Sequence, residues 1–191
     1  MLNDDTLDIP IDSTACAPPL GFLDGLILSI LSWILPLLEC KFLRRESNEI
    51  YMVRWFLLPK KLQAWCGFGV YIQEFLSPDT DYALHDHPFR WSMGIPLVGG
   101  YEEERCDSVS PNMMLYGSGY LETYAREVTR GCINRLDFRT FHRIDSLIGH
   151  RTITLFICGP RCQSWGFLVP GRGWVGYRER LRERGIDVGA N

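Results

Sequence analysis

From about Ile50 onward the chain is made of short apolar runs broken by Gly, Pro, Asp and Asn. The runs are Ile50–Leu58, Phe68–Leu76, Trp91–Val98, Asn134–Arg139, Arg151–Cys158 and Gly166–Val169. Several alternate with a period of two. In the run from 151, Ile153, Leu155 and Ile157 fall on one face and Thr152, Thr154 and Phe156 on the other, which is strand spacing. Many short strands with turn residues between them predict an all-β sandwich or barrel. A helix is expected at each end. Residues 26–38 (LILSILSWILPLL) hold no charge, and Gly25, Ser29, Ser32, Pro36 and Glu39 recur at three- and four-residue steps. That places one narrow polar stripe on an otherwise apolar helix. As a helix the segment reaches ~20 Å, short of the ~30 Å hydrocarbon core of a membrane. The charge-dense tail Tyr177–Arg184 (YRERLRER) reads as a short solvated helix.

Composition sets the scale. The 191 residues, 46% hydrophobic and 23% charged, suffice for one ordinary domain with an appended segment and exclude a disordered or fibrous chain. We divide the chain into 1–45, a Pro-containing leader (1–20) followed by the apolar amphipathic helix with a basic end (21–45), and 46–191, a single domain. Twenty basic against 23 acidic residues give a net charge of −3 and no electrostatic case for nucleic acid. The seven cysteines are odd in number, and the closest pair, Cys158 and Cys162, has no second pair to complete a zinc knuckle. With an acidic start (Met-Leu-Asn-Asp-Asp) in place of a secretory signal, a cytoplasmic chain is expected. For the apolar helix two expectations stay open. It lies in a membrane interface with Lys41, Arg44 and Arg45 at the headgroups, or it packs on its own domain or on a twin subunit in a homodimer.

Histidine is scarce, with four in the chain, and two of them form His85-Asp86-His87 ahead of the apolar run WSMGIPLV. In an extended segment residues i and i+2 face the same way, so both imidazoles can reach one point. Two converging neutral nitrogens suit a divalent metal such as iron, nickel, copper or zinc. The third ligand is expected at His142, in FRTFHRID, because a side chain borne on a strand aims better than His150 in the turn IGHRT. A solvated turn is the alternative reading of HDHP, since Asp and Pro both favour turns. Neither a G-x-G-x-x-G opening a helix nor a G-x4-G-K-[ST] occurs.

The run ALHDHPFRWSMGIPLVGGYEEE resembles the first motif of the cupin superfamily, and NRLDFRTFHRID its second. The chain is most similar to small bacterial and phage cupins with an HDHP motif. The matching residues are Tyr51, Arg54 and Trp55; HDHPF at 85–89; GGYEE at 99–103; HRI at 142–144; TLFICGP at 154–160; Trp165-Gly166-Phe167; and Gly173-Trp174-Val175. The resemblance spans about residues 50–178. It departs at 70–75, where Gln73-Glu74 replaces the group's His-Arg.

This resemblance implies a double-stranded β-helix, the cupin jelly roll, with a metal in the barrel mouth. The usual cupin glutamate ligand falls here on Trp91 and Ser92, which leaves a three-histidine site of His85, His87 and His142. Such a site is similar to that of thiol dioxygenases, but this chain lacks their substrate arginine, having Gln73, and their Ser-His-Tyr relay. The implied cofactor is a divalent metal, Fe(II) first, with Zn, Ni or Cu as alternatives. The implied function is an oxygenase acting on a small molecule, against a metal-containing cupin that binds a ligand without turnover or a membrane-associated structural protein. Tyr71, Gln73, Arg90, Arg139, Thr152 and Thr154 are the polar residues expected to face the mouth and bind substrate, and an arginine among them suits a carboxylate or phosphate.

Overall fold

In a computed structural model the described residues are 21–45, 47–183 and 185. The leader expected at 1–20 and the end of the tail helix at Arg184 lie outside them. The order of elements is α1 (Phe22–Ile34), a 3-10 turn (Leu35–Leu37), β1 (Cys40–Arg44), β2 (Ile50–Phe56), α2 (Lys60–Cys66) and β3 (Gly69–Phe75). There follow β4 (Leu84–His85), β5 (Trp91–Cys106), α3 (Pro111–Tyr116), β6 (Tyr124–Thr129) and β7 (Asn134–Asp137). The chain continues through β8 (Phe141–Cys158), β9 (Gly166–Val169), β10 (Gly173–Gly176) and α4 (Tyr177–Glu183).

Two long antiparallel strands, β5 and β8, pair along their whole length, from Ser92↔Cys158 to Cys106↔Phe141. Register shifts at Pro96/Val98, Val98/Gly100 and Glu102/Glu103 bend the pair in the middle. Each half then joins a different set of strands. Around one half lie β1, β2, β3 and β7; around the other lie β4, β6, β9 and β10. The sheet thus curls over itself into two faces with the core between them, the double-stranded β-helix expected from the sequence. Gly99 occupies the corner with φ +68°, and a Cβ there would stand 2.5 Å from the Arg151 carbonyl oxygen. Only glycine fits such a position without displacing backbone.

The two long strands correct the sequence reading, which ended the first run at Val98 and began the other at Arg151. Glycines and glutamates past Val98 hide a strand whose partner supplies the hydrogen bonds. Two short helices also escaped it. For α3 the signs are legible in hindsight: Ser110 Oγ accepts from Met113 N at 3.2 Å, Pro111 opens the helix and Gly117 closes it.

The apolar N-terminal segment splits its duties. Ile27, Leu28, Leu31 and Leu35 pack on a core cluster of Ile72, Val98 and Ile153, and Asp24 pairs with Arg130 at 2.6 Å. The opposite side leaves Phe22 at 87%, Trp33 at 79% and Leu37 at 83% exposure. The basic end does not continue the helix, because Cys40–Arg44 pairs with β2 as a sheet strand. No helix among the described residues is long and apolar enough to cross a membrane.

Candidate metal centre

The short strand β4 bridges β8 and β9, with His85 opposite both His142 and Phe167. The next residue fixes the turn. Asp86 points away from the histidine face, and its carboxylate accepts from Gly166 N at 2.7 Å, Trp174 Nε1 at 3.0 Å and Gln163 Nε2 at 3.1 Å. Burial pushes its pKa up to about 6, with these donors working against the rise. Gln163 also donates to the carbonyls of His87 and Phe138. The HDH turn is therefore tied to β9, β10 and the loop after β7, and both imidazoles are presented to the interior.

There they meet His142. One ligand nitrogen from each of His85, His87 and His142 lies within 4.8 Å of the others. The Nε2 atoms of His87 and His142 face each other at 2.8 Å. At that spacing the two rings are in hydrogen-bond contact. Burial, then mutual repulsion with His142, lowers the pKa of His85 to about 4 and that of His87 well below its ordinary value. Both are neutral at physiological pH, the protonation state a metal ligand needs. The residues present thus suit a divalent metal, and the three histidines form a group able to hold one.

Behind His142 stands a residue the sequence reading did not assign. Glu103, on β5 and 0% exposed, places Oε2 at 3.0 Å from His142 Nδ1. It also accepts from Asn134 Nδ2 at 2.9 Å, while Asn134 Oδ1 accepts from Arg105. Burial pushes the Glu103 carboxyl up, but His142, Asn134 and Arg105 outweigh it and hold the pKa below the ordinary value. An ionised carboxylate on Nδ1 requires the proton there, so the Nε2 lone pair of His142 is free for a metal. The signal was the alternation of Tyr101, Glu103 and Arg105, obscured by the triplet of glutamates.

The histidines open into a cavity of about 960 Å³ whose walls include Arg54, Gln73, Phe89, Thr154, Phe156 and Trp165. Of the residues expected to bind substrate, Gln73 and Thr154 line it. Four do not, and each sits elsewhere for a physical reason. Tyr71 packs against Phe56 and Phe156 and donates to Gln63 Oε1. Thr152 donates its hydroxyl to the Gly100 carbonyl at the corner of the long strands. Arg90 is exposed, because the chain turns out of the barrel where its N–H meets the Pro160 carbonyl. Arg139 is exposed too, over Phe138, and Arg143 is held by Glu104 and Asp145. His150 is exposed, and it lies within strand β8 rather than in the turn expected for IGHRT. The arginines on the cavity walls include Arg54, matched in sequence but given no role.

No known family profile matches the chain, and no curated protein matches it. Among solved structures it is similar to FeII HppE, at 13% identity over 63% of this chain and 56% of that one, with a TM-score of 0.45. It is similar also to Lactobacillus farciminis oxalate decarboxylase in its formate complex, at 14% identity over 78% of this chain and 36% of that one, TM-score 0.49. A third is hydroxypropylphosphonic acid epoxidase from S. wedmorenis, at 14% identity over 63% and 55%, TM-score 0.42. The chain spans just over half the length of FeII HppE. Likeness this distant carries no argument about chemistry, which rests on this chain's own residues.

Proposed function

We propose that this protein is a metal-dependent cupin protein that works as a three-histidine, non-haem iron oxygenase on a small molecule. The observation that carries the reading is the convergence of His85, His87 and His142 on a cavity, with Glu103 behind the third ligand. A divalent metal held by the three imidazoles would act as a Lewis acid, and as Fe(II) would supply dioxygen chemistry at its open positions. The chain does the rest. Glu103 keeps the proton on His142 Nδ1, Asp86 holds the turn carrying the other two ligands, and Phe89, Phe156 and Phe167 exclude water from the reacting end. The group includes no carboxylate ligand, which leaves room for both a substrate and dioxygen.

The test is metal content in protein purified without added metal, followed by dioxygen uptake across a panel of small thiols and carboxylates. Bound iron and substrate-dependent uptake are expected. Bound metal with no uptake on any substrate favours the second reading, a metal-containing cupin that binds its ligand without turnover. A separate proposal concerns α1 and the turn after it, whose exposed Phe22, Trp33 and Leu37 suit contact with a membrane surface or a twin subunit. Co-sedimentation with anionic vesicles and measurement of mass in solution distinguish the two.

A further inference from the structure

Among the described residues, the cavity walls include a half-buried cation, Arg54, that faces no anion. Other charged groups of the site have counterparts: Asp81 pairs with Arg180 at 3.1 Å, Arg45 with Glu49 at 3.3 Å, and Glu103 with His142 at 3.0 Å. Arg54 has no carboxylate at ion-pair distance among the described residues. Its guanidinium lies 5.2 Å over the Tyr71 ring, and with the Gln73 amide turned so that its oxygen faces Arg54, Nε and Nη2 donate to that oxygen at 3.0 and 2.9 Å. Those two bonds occupy one edge of the guanidinium. The Nη1/Nη2 end of the fork remains, which is the end that grips a planar anion with two parallel hydrogen bonds.

A second, independent feature stands in the same row. Arg54 is the register partner of Gln73, and Gln73 of Thr154, so the three side chains run across β2, β3 and β8 on the cavity wall. Thr154 is 2% exposed, yet its Oγ1 has no hydrogen-bond partner. A buried hydroxyl left unpaired costs ~1–3 kcal/mol, and a bound acceptor would remove that penalty. Burial also lowers the pKa of Arg54, as expected for a cation taken from water with no counter-charge.

We infer that Arg54, Gln73 and Thr154 form a subsite for the compact anionic head, a carboxylate or phosphonate, of a small ligand whose other end reaches the histidines. Gln73 orients the guanidinium, Arg54 grips two oxygens of the anion, and Thr154 donates to one of them. The subsite deepens the proposed function by giving its substrate a chemical class, but its residues bind an anion whether or not a metal is present.

The test is a thermal-shift titration at fixed ionic strength with propanoate, methylphosphonate and the neutral propanamide, on chelator-treated and Fe(II)-loaded protein. Either anion should protect saturably and propanamide should not; whichever anion protects more strongly assigns the head group. Thr154→Val should weaken anion binding about tenfold without lowering the ligand-free midpoint, because it removes a hydroxyl that bonds nothing in the free protein. Arg54→Met should abolish protection. Should that variant not fold, Arg54→Lys keeps the charge without the fork and should bind several-fold more weakly. Protection by propanamide equal to that by propanoate, or unchanged propanoate binding in Thr154→Val and the Arg54 variant, overturns the subsite. Metal uptake without anion protection sinks the subsite alone; anion protection without metal uptake sinks the oxygenase reading alone.

Discussion

Replacing Glu103 by glutamine separates orientation of the metal ligand from its charge. Glu103 Oε2 stands 3.0 Å from His142 Nδ1 and 2.9 Å from Asn134 Nδ2, while Oε1 faces Arg105 and Arg126 at 3.8 and 3.7 Å. In Glu103→Gln the amide oxygen can keep the Oε2 position, so His142 keeps its tautomer but loses the negative charge that strengthens it as a donor. Losing such an outer partner weakens metal binding ~10–100-fold, about 1.4–2.7 kcal/mol. The conservative end, about tenfold, is expected here because the hydrogen bond survives. Stability of the metal-free chain should change by less than ~2 kcal/mol, since removing a buried charge also removes its desolvation penalty. Glu103→Ala is different: it strands His142 and Asn134 and should cost ~3–5 kcal/mol. Competition against a chelator gives the affinity, and urea unfolding of chelated protein gives the stability. Wild-type metal affinity in both variants would refute the orienting role of Glu103.

Three further outcomes are expected. His85→Ala, His87→Ala and His142→Ala should each abolish stoichiometric metal binding, measured by elemental analysis, whereas His150→Ala, at an exposed position outside the histidine group, should leave it unchanged. Asp86→Ala removes three hydrogen bonds from Gly166, Trp174 and Gln163 and should lower unfolding stability by ~2–4 kcal/mol; a loss under 1 kcal/mol would contradict its role in fixing the turn. Metal-free protein should lose stability as pH falls from 6.5 toward 4, because His85, with a folded pKa of about 4, takes up its proton later than in the unfolded chain. Asp86 works in the opposite direction: its folded pKa of about 6 lies above the ordinary 3.8, so its protonation adds stability as pH falls through 6. The acid loss should therefore be steeper in Asp86→Asn, and denaturant midpoints across that window check the difference.

Much of the architecture was readable along the chain. Alternation of apolar and polar positions between Ile50 and Val169 is enough to specify strands, because side chains on a strand repeat every two residues. The same period puts His85 and His87 on one face, and with four histidines in the chain few partners were available. Periodicity failed where a register shift intervened. Through the first half of β5 the buried positions are Ser92, Gly94, Pro96 and Val98; beyond the bulges they are Tyr101, Glu103 and Arg105. Continued alternation would have turned Glu102 and Glu104 inward and Glu103 out. A bulge is fixed by pairing with β8, some forty residues away in sequence, so no local pattern announces it. The polar wall of the cavity was misread for a related reason. Tyr71, Gln73, Thr152 and Thr154 share an inward face, but which of them reaches open space depends on where the two halves of the barrel close. Local periodicity thus determined the strands and the histidine pair. Only the curl of the sheet decided that Glu103 supports His142 and that Arg54, rather than Arg90, stands on the cavity wall.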